Sequence, residues 1–131
     1  MGVRHLIDTH ILLWILATPE RIPEPVRTVL ADQTNQLLVS SASALEIATK
    51  IRLGKLEAPG LAQTLPARLF AMGATSLPIT VDHALLAGSI SWAHRDPFDR
   101  LLVAQATIED ATLVTIDKAI ASLPVPRVLT W

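Results

Sequence analysis

Short apolar runs alternate with longer helical stretches along this chain, and that alternation limits the possible fold more than any other feature. Val3 to Ile7, Leu37 to Ser40, Ala74 to Thr80, Thr112 to Ile116 and Val125 to Leu129 read as strands. Thr9 to Leu16, a stretch ending near Gln33, Ser43 to Leu53, Leu61 to Met72, Val81 to about Ile90 and Pro97 to Glu109 read as helices, with a short one from Asp117 to Ala121. Strands separated by helices pair in parallel through right-handed crossovers. Pro78 interrupts the third strand and points to a sheet edge, because proline brings no N–H to a ladder. No repeat, linker or low-complexity tract breaks the 131 residues, which fits the size of one domain. The expectation is one compact α/β domain over residues 1–131.

Asp8, Glu46 and Asp117 each follow a strand-like run and stand where a helix begins, and Asp96-Pro97-Phe98-Asp99 opens another apolar helix. In an open α/β sheet the carboxyl ends of the strands converge on one crevice, so these acids can share a site. Two carboxylates about 4 Å apart repel by roughly 1 kcal/mol in water and roughly 4 kcal/mol at an effective dielectric of 20. Such a cluster keeps a proton or holds a divalent cation. Each acid also has an ordinary structural role open to it. Ser43-Ala44-Leu45-Glu46 has the form of a capping box, with Lys50 four residues on as an ion-pair partner. Asp96 suits an N-cap before Pro97, and Asp117 suits the cap of its short helix. Asp8 is harder to read as a cap alone, since it ends an apolar strand directly before an apolar helix. On a helix starting at Pro97, Asp99 shares the buried stripe with Leu102, Val103 and Ala106. Asp96 has Arg100 four positions on as a partner. Asp99 is therefore assigned to the site, and Asp96 to cap or support.

The chain has no cysteine, so disulfides and thiolate metal sites are excluded. His5, His10, His83 and His94 are scattered and form no zinc pattern; they read as structural, with His10 the one to watch beside Asp8. Hard carboxylate oxygens select Mg²⁺ or Mn²⁺. No nucleophile elbow, P-loop or dinucleotide fingerprint is present, and Thr9-His10 lacks the second acid that a phosphomonoesterase using Asp8 as nucleophile needs. A net charge of −1 announces no nucleic-acid binder; any such contact has to come from a local patch, for which Lys50, Arg52, Lys55, Arg95 and Arg100 are the candidates. The apolar run Ile11 to Ala17 is far short of the roughly 20 residues of a membrane span, and no signal peptide is evident, so a cytoplasmic protein with no membrane role is expected. Hydrophobic residues make up 50% of the chain, more than one small core readily hides, which points to a partner or an oligomer.

The phrases Leu6-Ile7-Asp8-Thr9-His10-Ile11-Leu12-Leu13-Trp14, Ser43 to Lys50, His94 to Arg100 and Leu113-Val114-Thr115-Ile116-Asp117 occur in an order that resembles the PIN-domain proteins, and among them the VapC-type toxins of bacterial toxin–antitoxin pairs. The resemblance runs over essentially the whole chain, with one departure at Leu45, where this subgroup often carries Trp. It implies a three-layer α/β/α sandwich with a central parallel sheet, and a Mg²⁺-dependent endoribonuclease whose acids are Asp8, Glu46, Asp99 and Asp117. Thr115 matches a hydroxyl residue that helps position water or metal. Of the acids, Asp8, Asp99 and Asp117 are assigned to the metal, with Mn²⁺ as a substitute. It also implies a homodimer neutralised by a cognate antitoxin, with RNA as substrate. Two readings stand beside it: a non-catalytic α/β interaction domain, and a DNA-directed or structure-specific nuclease using the same crevice.

Overall fold

A computed structural model describes residues 2–131. The chain runs through β1 (Arg4–Ile7), α1 (Thr9–Ala17), a 3₁₀ turn (Pro19–Arg21), α2 (Glu24–Ala31), β2 (Gln36–Ser40), α3 (Ser41–Arg52), α4 (Leu61–Ala71), β3 (Thr75–Leu77), α5 (Val81–Ser89), α6 (Pro97–Ile108), β4 (Thr112–Val114), α7 (Lys118–Ala121) and β5 (Val128–Leu129). All strand pairs are parallel, in the order β3-β2-β1-β4-β5. Leu6 lies opposite Leu38 on one side and Leu113 on the other.

Both faces of this sheet are covered, which is why its strands read as unbroken apolar runs rather than alternating ones. Ile7, Val39 and Val114 point to one face, where they pack with Ile11 and Leu12 of α1, Val26 of α2, Ile47 of α3 and Leu65 of α4. Leu6, Leu38 and Leu113 point to the other, against Leu102, Val103 and Ala106 of α6 and Ile120 of α7. Adjacent residues of each strand thus serve opposite layers, and the result is the three-layer α/β/α sandwich.

Several boundaries differ from the sequence reading, each for a local reason. The second helix stops at Ala31, because the Asp32 carboxylate takes both the backbone N–H and the hydroxyl of Thr34 and folds the chain into a turn. The last strand is only Val128–Leu129; Pro124 and Pro126 have no N–H to give a neighbour. α3 begins at Ser41 with Ser40 as its N-cap, accepting from the Ala42 N–H at 2.9 Å, so Ser43 is not the cap of a capping box. Ser43 is buried inside the helix and accepts the Thr9 hydroxyl at 2.8 Å, tying α3 to the start of α1. β3 does lie at the edge of the sheet.

The strand order has one reversal. From β1 the chain steps outward to β2 and β3, then returns through α5 and α6 to place β4 on the far side of β1. The carboxyl ends of β1 and β4 therefore flank a switch point, the place where open α/β sheets form a crevice.

Candidate metal centre

Asp8 follows β1, and Thr115 and Asp117 follow β4, so the reversal brings these three together directly. The Thr115 hydroxyl donates to Asp8 Oδ2 at 2.6 Å and accepts the Asp117 backbone N–H at 3.0 Å. The other Asp8 oxygen, Oδ1, caps α1 by accepting the His10 N–H at 2.9 Å. Asp117 caps α7 through Oδ1, which accepts from Ala119 at 2.8 Å. Among the described residues its second oxygen has no hydrogen-bond partner. Capping and membership of the crevice are thus compatible, because a cap occupies one oxygen of two.

Glu46 and Asp99 enter from helices. Glu46 lies one turn and a half into α3, its side chain only 8% exposed, and accepts from Lys50 Nζ at 2.6 Å. Asp99 sits in the first turn of α6, whose N-cap is Asp96; the Asp96 carboxylate accepts the N–H groups of Phe98 and Asp99. The sequence distinction between these two acids is visible in their setting. Leu102, Val103 and Ala106 are buried, Asp99 shares their side of the helix, and Asp96 is exposed. Asp8, Glu46, Asp96, Asp99 and Asp117 all line one crevice of about 500 Å³, with Lys50 and Lys55 on its wall.

Burial raises the Asp8 carboxyl above the ordinary carboxylate range, against the pull of the Thr115 hydroxyl. Burial likewise pushes Asp99 up to about 6; the hydrogen bond from His94 opposes this, and the charges of Asp96 and Asp8 add to it. Lys50 is raised by its bond to Glu46 and by the nearby Asp96 and Asp99. A crevice that makes Asp8 and Asp99 costly to ionise, while lining itself with hard carboxylate oxygens, suits a divalent cation. The donor set therefore fits Mg²⁺ or Mn²⁺.

The structure adds one residue that the sequence reading had placed among structural histidines. His94 bonds Asp99 Oδ2 through Nε2 at 2.7 Å, and ligand atoms of His94, Asp99 and Asp117 lie within 4.8 Å of one another. Asp8 lines the same crevice but stands outside this trio, its oxygens held by Thr115 and the cap of α1. His94 precedes Asp99 by five residues across a loop, so no helical or strand spacing relates them in sequence.

Among the basic candidates, Lys50 and Lys55 face the crevice, whereas exposed Arg52 and Arg95 are not among the residues that line it. Arg100 is a correction. Among the described residues it pairs with no carboxylate; its guanidinium donates to the carbonyls of Ala87, Ile90, Trp92 and His94 at 2.7–2.9 Å. A side chain with its donors committed to backbone carbonyls holds a loop, not a phosphate.

A family model described as PIN domain matches residues 5–125. Over 59 residues, the chain is 44% identical to Ribonuclease VapC16 of Mycobacterium tuberculosis; the aligned segment spans 44% of this chain and 40% of that protein. Solved structures with the same fold include VapBC2 from Rickettsia felis bound to a DNA fragment from its promoter, with a TM-score of 0.73 at 18% identity over 98% of this chain and 99% of the other. DNA-bound VapBC from Salmonella typhimurium matches with a TM-score of 0.73 at 16% identity over 98% of each chain. VapBC-1 from nontypeable Haemophilus influenzae gives 0.63 at 20% identity, again over 98% of each.

Proposed function

The chain belongs to the PIN-domain family, and from that premise we propose that it is a metal-dependent endoribonuclease, the toxin of a toxin–antitoxin pair acting in the cytoplasm. One observation carries the reading: Asp8, Glu46, Asp99 and Asp117, from four separate segments, line a single crevice at the sheet's switch point. The name of the Mycobacterium tuberculosis relative, a ribonuclease, supports the choice of polymer.

Asp8, Asp99 and Asp117 are the residues we assign to hold Mg²⁺, or Mn²⁺ in its place, with Glu46 completing the site. A cation held there would lower the pKa of a water and offset the charge of the phosphodiester. Thr115 fixes Asp8 and, through the Asp117 N–H, the turn that follows β4. Lys50 and Lys55 give the crevice wall positive charge suited to the phosphate backbone on either side of the scissile bond. With water as nucleophile, the leaving group is the 3′-oxygen and the products carry 5′-phosphate and 3′-hydroxyl ends.

The antitoxin partner is part of the same proposal, supported by the toxin–antitoxin complexes among the structural neighbours. Leu13 and Leu56 line both the acidic crevice and an adjoining apolar groove of about 270 Å³ that includes Leu16, Ala58 and Leu61. A chain segment laid along that groove would lead into the acids, and a basic side chain on it would answer their charge. A homodimer is proposed too, since α5 turns Val81 and Leu85, one turn apart, to solvent.

Incubation with mixed RNA and DNA oligonucleotides, with Mg²⁺ and with EDTA, followed by mapping of the ends, tests the activity. RNA cleavage that stops in EDTA and leaves 5′-phosphates is the expected result. Cutting of DNA alone would assign the crevice to the other polymer, cyclic phosphate ends would remove the water mechanism, and no cleavage with no metal uptake would leave an interaction domain.

A further inference from the structure

A loop without regular structure brings His94 against Asp99, one of the acids that line the crevice. His94 Nε2 lies 2.7 Å from Asp99 Oδ2, to which it donates when the carboxylate is ionised, and the ring stacks on Trp92, with 4.5 Å between ring centroids and 16° between planes. Trp92 packs in turn against the apolar layer of α6 and α7. The carbonyls of this loop are gathered by one guanidinium. Arg100 Nη2 donates to Ile90 at 2.7 Å, Nη1 to Trp92 at 2.8 Å and to His94 at 2.9 Å, and Nε to Ala87 at the end of α5 at 2.7 Å. Arginine suits the task because its donors lie in a rigid plane and its charge is permanent.

Arg100 is the residue after Asp99, so the acid and the anchor of the loop that grips it share the first turn of α6. Rotation about the last bond of an aspartate is soft, and a carboxylate with one fixed oxygen loses most of that freedom. Nε2 of His94 is already engaged by Asp99, so that nitrogen would have to leave the acid before it could bind a cation. We propose that His94, held by Arg100, is a positioning residue that fixes the Asp99 carboxylate for the divalent cation, an inference that rests on the metal-site reading above. Partners that orient a ligating carboxylate in this way change metal affinity by about 10- to 100-fold.

Calorimetric titration of the full chain with Mn²⁺, beside thermal melts without metal, tests it. His94→Ala is expected to weaken Mn²⁺ binding by about tenfold or more, with the metal-free melt little changed, and His94→Gln, whose amide N–H reaches the same oxygen, to restore most of the loss. Arg100→Lys is expected to weaken binding as well, and combining it with His94→Ala to cost no more than the larger single loss, because the two act as one unit. The spin-echo spectrum of Mn²⁺ bound to the unaltered chain should show no nitrogen coupling from an imidazole. Undiminished affinity in His94→Ala, a Gln variant no better than Ala, losses that multiply, or imidazole coupling would each overturn the positioning role. Failure of the unaltered chain to bind Mn²⁺ would instead bring down the metal site itself, and this role with it.

Discussion

Asp8 spends both carboxylate oxygens on the protein, one on the His10 N–H and one on the Thr115 hydroxyl, and still sits above the ordinary carboxylate range because it is buried. Neutralising it should therefore cost the fold little. Asp8→Asn keeps an oxygen for the cap, and on the proposed function it should abolish cleavage and sharply weaken Mn²⁺ binding while raising the metal-free melting temperature. Calorimetry beside melts in EDTA checks this, and unchanged metal affinity would remove Asp8 from the site. Asp99 gives the pH dependence. Its pKa of about 6 in the folded chain lies above the ordinary 3.8, so the folded state holds the proton more tightly than the unfolded one. That contribution to stability is fully present below about pH 4 and is lost as pH rises through about 6. The stability of Asp99→Asn relative to the unaltered chain in EDTA should grow over that window, by at most about 3 kcal/mol and by less where solvent screens the carboxylate. Divalent cations should bind more weakly below about pH 6, where they compete with the proton. A stability difference that stays flat with pH would show that Asp99 does not titrate in this range.

At the scale of the element, α6 carries most of the legible chemistry and also the part that was hidden. Asp96, Pro97 and Asp99 occupy N-cap, N1 and N3 as their residue types suggest; both acids line the crevice, but Asp99 lies on the side of the buried stripe Leu102-Val103-Ala106 while Asp96 is exposed and caps the helix. On the proposed function, Asp99→Asn should remove cleavage, whereas Asp96→Asn should reduce it only in part and cost the helix little, since asparagine remains a competent cap. Cleavage assays on the two variants decide the order, and the reverse order would undo the face argument. Strands were legible because pairs such as Leu6-Ile7 and Leu113-Val114 serve both layers of a covered sheet. Helix starts were less so. Ser40, Ser41 and Ser43 are all eligible caps, and the choice of Ser40 follows from where β2 ends and from the Thr9 hydroxyl that Ser43 accepts, neither of which a local spacing encodes. The contact between His94 and Asp99, and the turn of Arg100 away from Asp96 to four carbonyls, depend on how an irregular loop curls back on its helix. No periodicity carries that information.

For the whole molecule, the reversal of strand order sets the place of the crevice, and the apolar surplus sets what surrounds it. The sequence reading of α1, apolar almost all round, left open whether the helix is buried or meets a partner. Ile11 and Leu12 are fully buried, while Leu13, Trp14, Ile15 and Leu16 are only partly covered. Arg21 lies over the Trp14 ring at 5.6 Å and His10 meets its edge, so the far side of α1 carries an aromatic cluster rather than a bare aliphatic face. Leu13 is different, because it lies where the acidic crevice joins the apolar groove toward Leu61. A partner segment that follows the groove into the crevice has to pass it. Leu13→Glu would place a carboxylate at that junction, beside acids that already repel one another, and would desolvate it whenever the groove is filled. Because Leu13 is partly exposed in the free chain, the fold should tolerate the change. On the proposed function, the expected result is a folded protein whose affinity for the proposed antitoxin, the product of a neighbouring gene, falls at least tenfold, read by calorimetry. Val81→Glu on α5 should leave that affinity alone and instead lower the dimer fraction in light scattering. If Leu13→Glu binds the antitoxin as before, the partner does not use this groove; if the unaltered chain is monomeric at micromolar concentration, the exposed face of α5 is not a dimer contact.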